Sequence, residues 1–165
     1  MPPKDRVKPG PRQESVWDYP RPPRLEKVSG RVTIEFGGQL IADTTDAFRV
    51  LETSHPPTIY LPPAAFIDGV LRPASGTSMC EWKGRASYYD VVVGDRVAEK
   101  AAWYYPSPVP AFAEIKDHVS VYPGRMDRCT LDGEEVEAQS GDFYGGWRTS
   151  KIVGPFKGGP GTWGW

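Results

Sequence analysis

Apolar and polar residues alternate over short stretches of this chain, and most stretches end at glycine or proline. In Arg31–Phe36, Val32, Ile34 and Phe36 alternate with Arg31, Thr33 and Glu35. That two-residue period describes a strand with one face buried and one in water. Gly37-Gly38 suits a tight hairpin turn, and Gln39–Asp43 returns antiparallel. Ala47–Thr53 and Thr58–Leu61 read as the next strands, the second stopped by Pro62-Pro63. Arg85–Val93 turns through Gly94-Asp95 into Arg96–Tyr105. His118–Gly124 and Asp127–Leu131 are further strands, and Asp132-Gly133 is a strong hairpin signal before Glu134–Ala138. Pro63–Leu71 and Pro110–His118 are the candidates for short helices, the first stopped at Gly69.

These signals predict a mainly β domain, an antiparallel short-stranded barrel or sandwich with one or two short helices. With 18 glycines and 18 prolines the chain has too many breakers for long helices. Residues 1–27 stand apart, with seven prolines and seven Lys or Arg against few sizeable apolar groups. They read as an extended or mobile N-terminal arm, with Trp17–Leu25 able to lie along the body as polyproline. Residues 28–165 then form a single domain. Its last stretch, from Gly145, has no periodicity but carries Trp147, Phe156, Trp163 and Trp165. It is too apolar for a free tail and is expected to wrap the body.

Composition changes the picture in three ways. A length of 165 residues, 39% hydrophobic and 25% charged, is that of one globular domain. A formal charge of −1 argues against a protein that binds nucleic acid by neutralising phosphates. No apolar run is long enough to span a bilayer, and no secretory signal is visible, so cytoplasm is the expected location and no membrane partner is expected. Cys80 and Cys129 are too few for a disulfide framework.

The densest chemistry lies between Thr77 and Tyr105. Cys80 and Lys83 sit in CEWKG, among Trp82, Tyr88, Tyr89, Trp103, Tyr104 and Tyr105. Reactive polar groups among large flat apolar ones describe the wall of a pocket. A lysine beside a thiol favours the thiolate, so Cys80 is a candidate nucleophile. The alternative is a small packed thiol and a lysine lying along Trp82. Alternation splits the aromatic residues between the two faces of their hairpin. Arg49, Tyr60, Lys83, Tyr88, Trp103 and Tyr104 are the candidate ligand-binding residues, with Arg49 able to clamp a carboxylate or phosphate. Glu52 and His118 form a candidate acid–base pair, and Glu52 could instead orient His55. The bland reading of Arg49 and Glu52 is a surface ion pair. Cys80, Cys129, His55 and His118 show no metal-binding spacing, so no metal is expected, and no cofactor is implied. Neither a Walker-type loop nor a phosphate-binding glycine loop is present.

The succession RVLETSHPPTIYLPP, TSMCEWKGRASYY and AAWYYPSPVPAFAEIKDHVSVYPG resembles the family known as domain of unknown function 427, which also carries a nucleotidyltransferase-type name. The resemblance covers roughly residues 17–160, and its most specific part is the T-x-x-C-x-x-K-G-x-A-x-Y segment. It implies a compact β-rich domain found mostly in bacteria and fungi. The chain departs from polymerase-type nucleotidyltransferases in having neither their Gly-Ser pair nor their Asp-x-Asp pair. The expectation is a small-molecule-binding β domain with an aromatic-lined pocket. The alternatives are an enzyme using Cys80, or Glu52 with His118, and a protein-interaction or self-association module forming a homodimer.

Overall fold

A computed structural model describes residues 6–80, 82–139, 145–158, 162 and 165. Ten strands of three or more residues form the body. They are β1 (Arg24–Lys27), β2 (Val32–Phe36), β3 (Gln39–Thr44), β4 (Phe48–Leu51), β5 (Thr58–Tyr60), β6 (Leu71–Cys80), β7 (Gly84–Val93), β8 (Arg96–Tyr104), β9 (Val119–Val121) and β10 (Arg128–Leu131). One sheet has the order β1-β4-β5, a second β6-β7-β8-β9, and a third β3-β2-β10 with Glu134–Glu135 at its edge. All pairs within these sheets are antiparallel. Just past β5, Leu61 pairs with Val119 through two backbone hydrogen bonds of 2.7 and 2.8 Å. This bridge joins the first two sheets edge to edge. The result is a sandwich and not a closed barrel.

The alternation in β2 is the physical basis of the central layer. Val32, Ile34 and Phe36 are buried while Thr33 and Glu35 are half-exposed. Their apolar face packs with Ile41, Ile59, Leu61, Val91, Val119 and Val121 in one core. The hairpins at Gly37-Gly38, Gly94-Asp95 and Asp132-Gly133 all form. Strand β6 is the element that alternation does not announce. It is exposed along most of its length, and its pairing with β7 slips between Pro73 and Thr77. Proline and a bulge are the usual marks of an edge strand, which needs no apolar face of its own.

The two expected helices are shorter than the sequence suggests. Pro63–Ala65 is one 3₁₀ turn, because the chain returns at once to the sheet: Phe66 pairs with Ala42 and Ile67 N–H bonds to Ile41 O at 2.9 Å. Pro110–Ile115 is a 3₁₀ segment kinked at Phe112.

The arm and the tail meet. Glu14–Ser15 pairs parallel with Ile152–Val153, and Val16, Tyr19, Leu51 and Ile152 form a small core of their own. Residues 24–27 of the arm are strand β1. In the tail, Trp147 is buried in the main core, and Trp165 packs edge-on against Trp17. Trp163 lies outside the described residues.

Ile34 is fully buried at the centre of the sandwich. Ile34→Ala should lower the urea-unfolding free energy by about 2–5 kcal/mol. Val97→Ala, at a position 54% exposed, should change it by less than about 0.5 kcal/mol. Equal losses at both sites would contradict this assignment of the core.

Candidate functional site

Strand β5 and the paired stretches of β7 and β8 around Tyr88 and Trp103 pack on both faces. Ile59, Leu61, Val91 and Ala102 point into the sandwich, so the alternate residues must point the other way. Those residues are Tyr60, Tyr88 and Trp103, and with Tyr105, Phe112 and Ile115 they build a second apolar cluster. Tyr88 and Trp103 stand directly opposite each other on β7 and β8. Tyr89 and Tyr104 face the sandwich side and stack on each other at 4.5 Å.

The second cluster opens into a cleft of about 430 Å³. Its aromatic wall is Trp82, Tyr88, Trp103, Tyr105 and Tyr122. Glu52, His55, Ser78, Cys80, Lys83, Gln139 and Lys157 supply polar groups. Beneath this wall Tyr60 is fully buried. Its Oη accepts from Lys83 Nζ and from Trp103 Nε1, each at 3.2 Å. The Lys83 ammonium also faces the rings of Tyr60 and Tyr105, 5.6 and 5.5 Å from their centroids. Among the described residues no carboxylate lies within ion-pair distance of it.

The turn that carries Lys83 is fixed on both sides. Cys80 pairs with Gly84 at the end of the β6–β7 hairpin, and Val109 N–H bonds to Lys83 O at 3.0 Å. Gly84 has φ of +114°, a conformation side-chain-bearing residues rarely adopt. A Cβ there would lie in ordinary contact with Ser107 O at 3.4 Å, so it is the backbone conformation that favours glycine.

The electrostatics follow from burial. Burial opposes the charge of Lys83, but Tyr60 and Cys80 more than offset it and hold its pKa above the ordinary lysine value. Burial pushes the Tyr105 phenol well above the usual tyrosine range, with Tyr60 and Cys80 adding to the effect. Burial likewise lowers His55, against the opposing pull of Glu52 at 3.7 Å. His55 Nδ1 lies 2.9 Å from Thr53 O. A carbonyl only accepts, so Nδ1 carries the proton and Nε2 is the basic nitrogen of the neutral ring.

Of the residues singled out from sequence, Lys83, Cys80, Glu52, Tyr88 and Trp103 line one cleft, with Tyr60 below it. His55, the alternative partner of Glu52, lines it too, whereas Arg49, His118 and Tyr104 do not. Arg49 is held by Glu14 and Glu26, with bonds of 2.8 Å to Glu26 Oε1 and 3.0 Å to both Glu14 oxygens. Two carboxylates already occupy its guanidinium, so the anion clamp expected of it is filled from within the chain. His118 packs edge-on against Phe48 at 5.6 Å with Nδ1 3.2 Å from Lys116 O. It does not line the cleft, and Glu52 is brought to His55 instead. Tyr104 belongs to the opposite face of the sheet. Tyr122, Gln139 and Lys157 line the cleft without having been picked out for it. Tyr122 follows the alternation of β9, but nothing periodic marks the other two. Among the described residues no group of three or more His, Cys, Asp or Glu side chains could hold a metal ion.

These features define a mainly β sandwich with an aromatic-walled cleft on its outer face. The family model for domain of unknown function 427, named NTP_transf_9, matches residues 24–132, and the chain belongs to that family. The match holds all ten strands, and with them Tyr60, Cys80, Lys83, Tyr88 and Trp103. No curated protein matches the chain. Among the described residues no helix is long and apolar enough to cross a membrane.

The two thiols should separate cleanly. Cys129 is 1% exposed, and burial pushes its pKa up to about 12. Iodoacetamide at pH 7.5, read by mass spectrometry, should label Cys80 in the folded protein and reach Cys129 only after unfolding. Labelling of Cys129 under native conditions would overturn the placement of β10. His55 gives a second test. Its pKa is lower folded than unfolded, so below about pH 6.5 the unfolded chain binds more protons. Its contribution to stability is therefore complete above that pH and is lost as pH falls. Urea unfolding at pH 7.5 and 5.5 should show a smaller pH-dependent loss in His55→Gln than in the natural chain.

Proposed function

We propose that this chain binds a small planar ligand bearing a carboxylate or phosphate, held between aromatic side chains and anchored by Lys83. The observation that carries the reading is the Lys83 ammonium. It sits in an aromatic-walled cleft, bonded to a neutral phenol and facing two rings, with no carboxylate partner among the described residues. A buried charge normally keeps a counter-ion. None of the described residues supplies one within ion-pair distance, and the ammonium lines a cleft of ligand size. Trp82, Tyr88, Trp103 and Tyr122 offer the flat surfaces on which a ring would lie. Cys80 at the same cleft supports a second reading, an enzyme in which its thiolate is the nucleophile. Rapid alkylation near pH 6.5, far faster than that of a free thiol, would favour this second reading.

Calorimetric titration with 2-naphthoate and its neutral amide, 2-naphthamide, separates the contributions. The natural chain should bind the acid more tightly. Lys83→Met keeps the side-chain length and removes the charge. It should weaken the acid by about 1.5–3 kcal/mol, and the amide by much less. Binding of the acid unaffected by Lys83→Met would sink the anchor, and failure of both compounds to bind the natural chain would sink the reading.

A further inference from the structure

A second groove of about 640 Å³ adjoins the cleft. The two share Tyr88, Tyr122 and Gln139 as a common wall. Beyond that wall the groove carries two cations, Lys100 and Arg125, and one carboxylate, Glu99. Among the described residues neither cation has a carboxylate within ion-pair distance.

Lys100 is placed there by an irregular backbone. It has φ of +50°, the left-handed region that L residues with long side chains avoid. The β7–β8 pairing slips at the same point, between Tyr89 and Val91, and Lys100 N–H is taken by Asp90 Oδ1 at 2.9 Å instead of by the ladder. The neighbouring edge strand makes a matching accommodation. Its own bulge falls between Pro73 and Thr77, and Gly76 within it has φ of +90°. A Cβ on Gly76 would lie 3.2 Å from Lys100 Nζ. The ammonium lies 6.0 Å from the centre of the Tyr88 ring, whose other neighbour is the cleft. Two irregularities on adjacent strands thus bring one cation to the far side of the aromatic wall. Bulges next to sites re-aim side chains, and a strained non-glycine residue persists only where the surroundings hold it.

We infer that the cleft and the groove form one elongated binding site, and that its ligand carries a second anionic group, carboxylate or phosphate, received by Lys100 and Arg125. The ligand then lies across Tyr88 and Tyr122 with one anion on each side. This rests on the reading of the cleft given above and adds the length and charge pattern of the ligand.

The test is a calorimetric comparison of 2-naphthoate with naphthalene-2,6-dicarboxylate, biphenyl-4,4′-dicarboxylate and 6-phosphonooxy-2-naphthoate. At least one dianion should bind the natural chain ten-fold or more tightly than 2-naphthoate, and whether it is a dicarboxylate or the phosphate distinguishes the second group. In Lys100→Met combined with Arg125→Met, the ratio of dianion to monoanion affinity should fall towards one. Lys100→Asn should lower the same ratio while raising Tm, because asparagine tolerates the left-handed backbone better than lysine does. A dianion preference that survives in the double variant overturns the inference, and so does the absence of any preference in the natural chain. A preference that needs Lys100 but is indifferent to Lys83→Met would instead overturn the cleft anchor and leave the groove. No binding by any of the four compounds would overturn both.

Discussion

A single buried phenol ties together the cleft face of this domain. Tyr60 is the last residue of β5, Trp103 lies near the end of β8, and Lys83 sits on the turn between β6 and β7. All three meet at the Tyr60 oxygen, which accepts two hydrogen bonds and so uses both its lone pairs. The same strand end leads into the backbone bridge from Leu61 to Val119 that joins two sheets edge to edge. Position and chemistry therefore coincide. The residue next to the joint between sheets is also the one that orders the indole and the ammonium of the cleft. Without that oxygen, the buried indole N–H of Trp103 and the half-buried Lys83 ammonium would lose a partner at once, a cost that falls on the fold as well as on the cleft.

The distant ends of the chain complete the cleft. The loop after β4 brings Glu52 and His55 to its rim, and this loop has little apolar content to hold it. It is held by the arm and the tail instead. Thr53 Oγ1 donates to Tyr19 O at 2.5 Å, Ser54 N–H to Val16 O at 3.0 Å, and Lys157 N–H to Ser54 O at 2.8 Å. Arg21 adds a contact of 3.4 Å to Glu52. Val16 and Leu51, both fully buried, supply the apolar contact beneath these bonds. The proline-rich arm is thus a clamp on a loop that lines the cleft, and its extended conformation suits a segment that must reach across the surface.

The strands with a period of two were legible in the sequence because one face of each meets the core. Val32, Ile34 and Phe36 declare β2 without help, and the Asp132-Gly133 pair declares its turn. The split of Tyr88 and Trp103 from Tyr89 and Tyr104 follows from the same period. What alternation cannot show is a strand with neither face buried, and β6 is one. Nor can it show which charges meet. Arg49 looked like an anion clamp because its partners, Glu26 and Glu14, lie 23 and 35 residues away in a segment that reads as a separate arm. The pairing of His118 with Glu52 rests on residue type alone, whereas the fold realises the alternative the sequence also offers, Glu52 beside His55 three residues on. Gln139 and Lys157 come from stretches without period, and only the tertiary path brings them to the cleft.

The order of these dependencies bears on how the site handles charge. An ammonium in an aromatic setting loses hydration that ring faces and one phenol replace only in part. A carboxylate from the chain would have restored the balance, and the fold has several to hand: Glu14 and Glu26 neutralise Arg49, and Glu52 pairs with Arg21 and lies beside His55. Among the described residues these three carboxylates are committed to other cations, and none lies within ion-pair distance of Lys83. Under the binding reading, this arrangement leaves the strongest electrostatic interaction in the cleft for the ligand to make. Flat aromatic walls accept many ring shapes with little discrimination. Selectivity then rests on where the negative charge of the ligand falls relative to Lys83, and on whether a second one reaches past Tyr88.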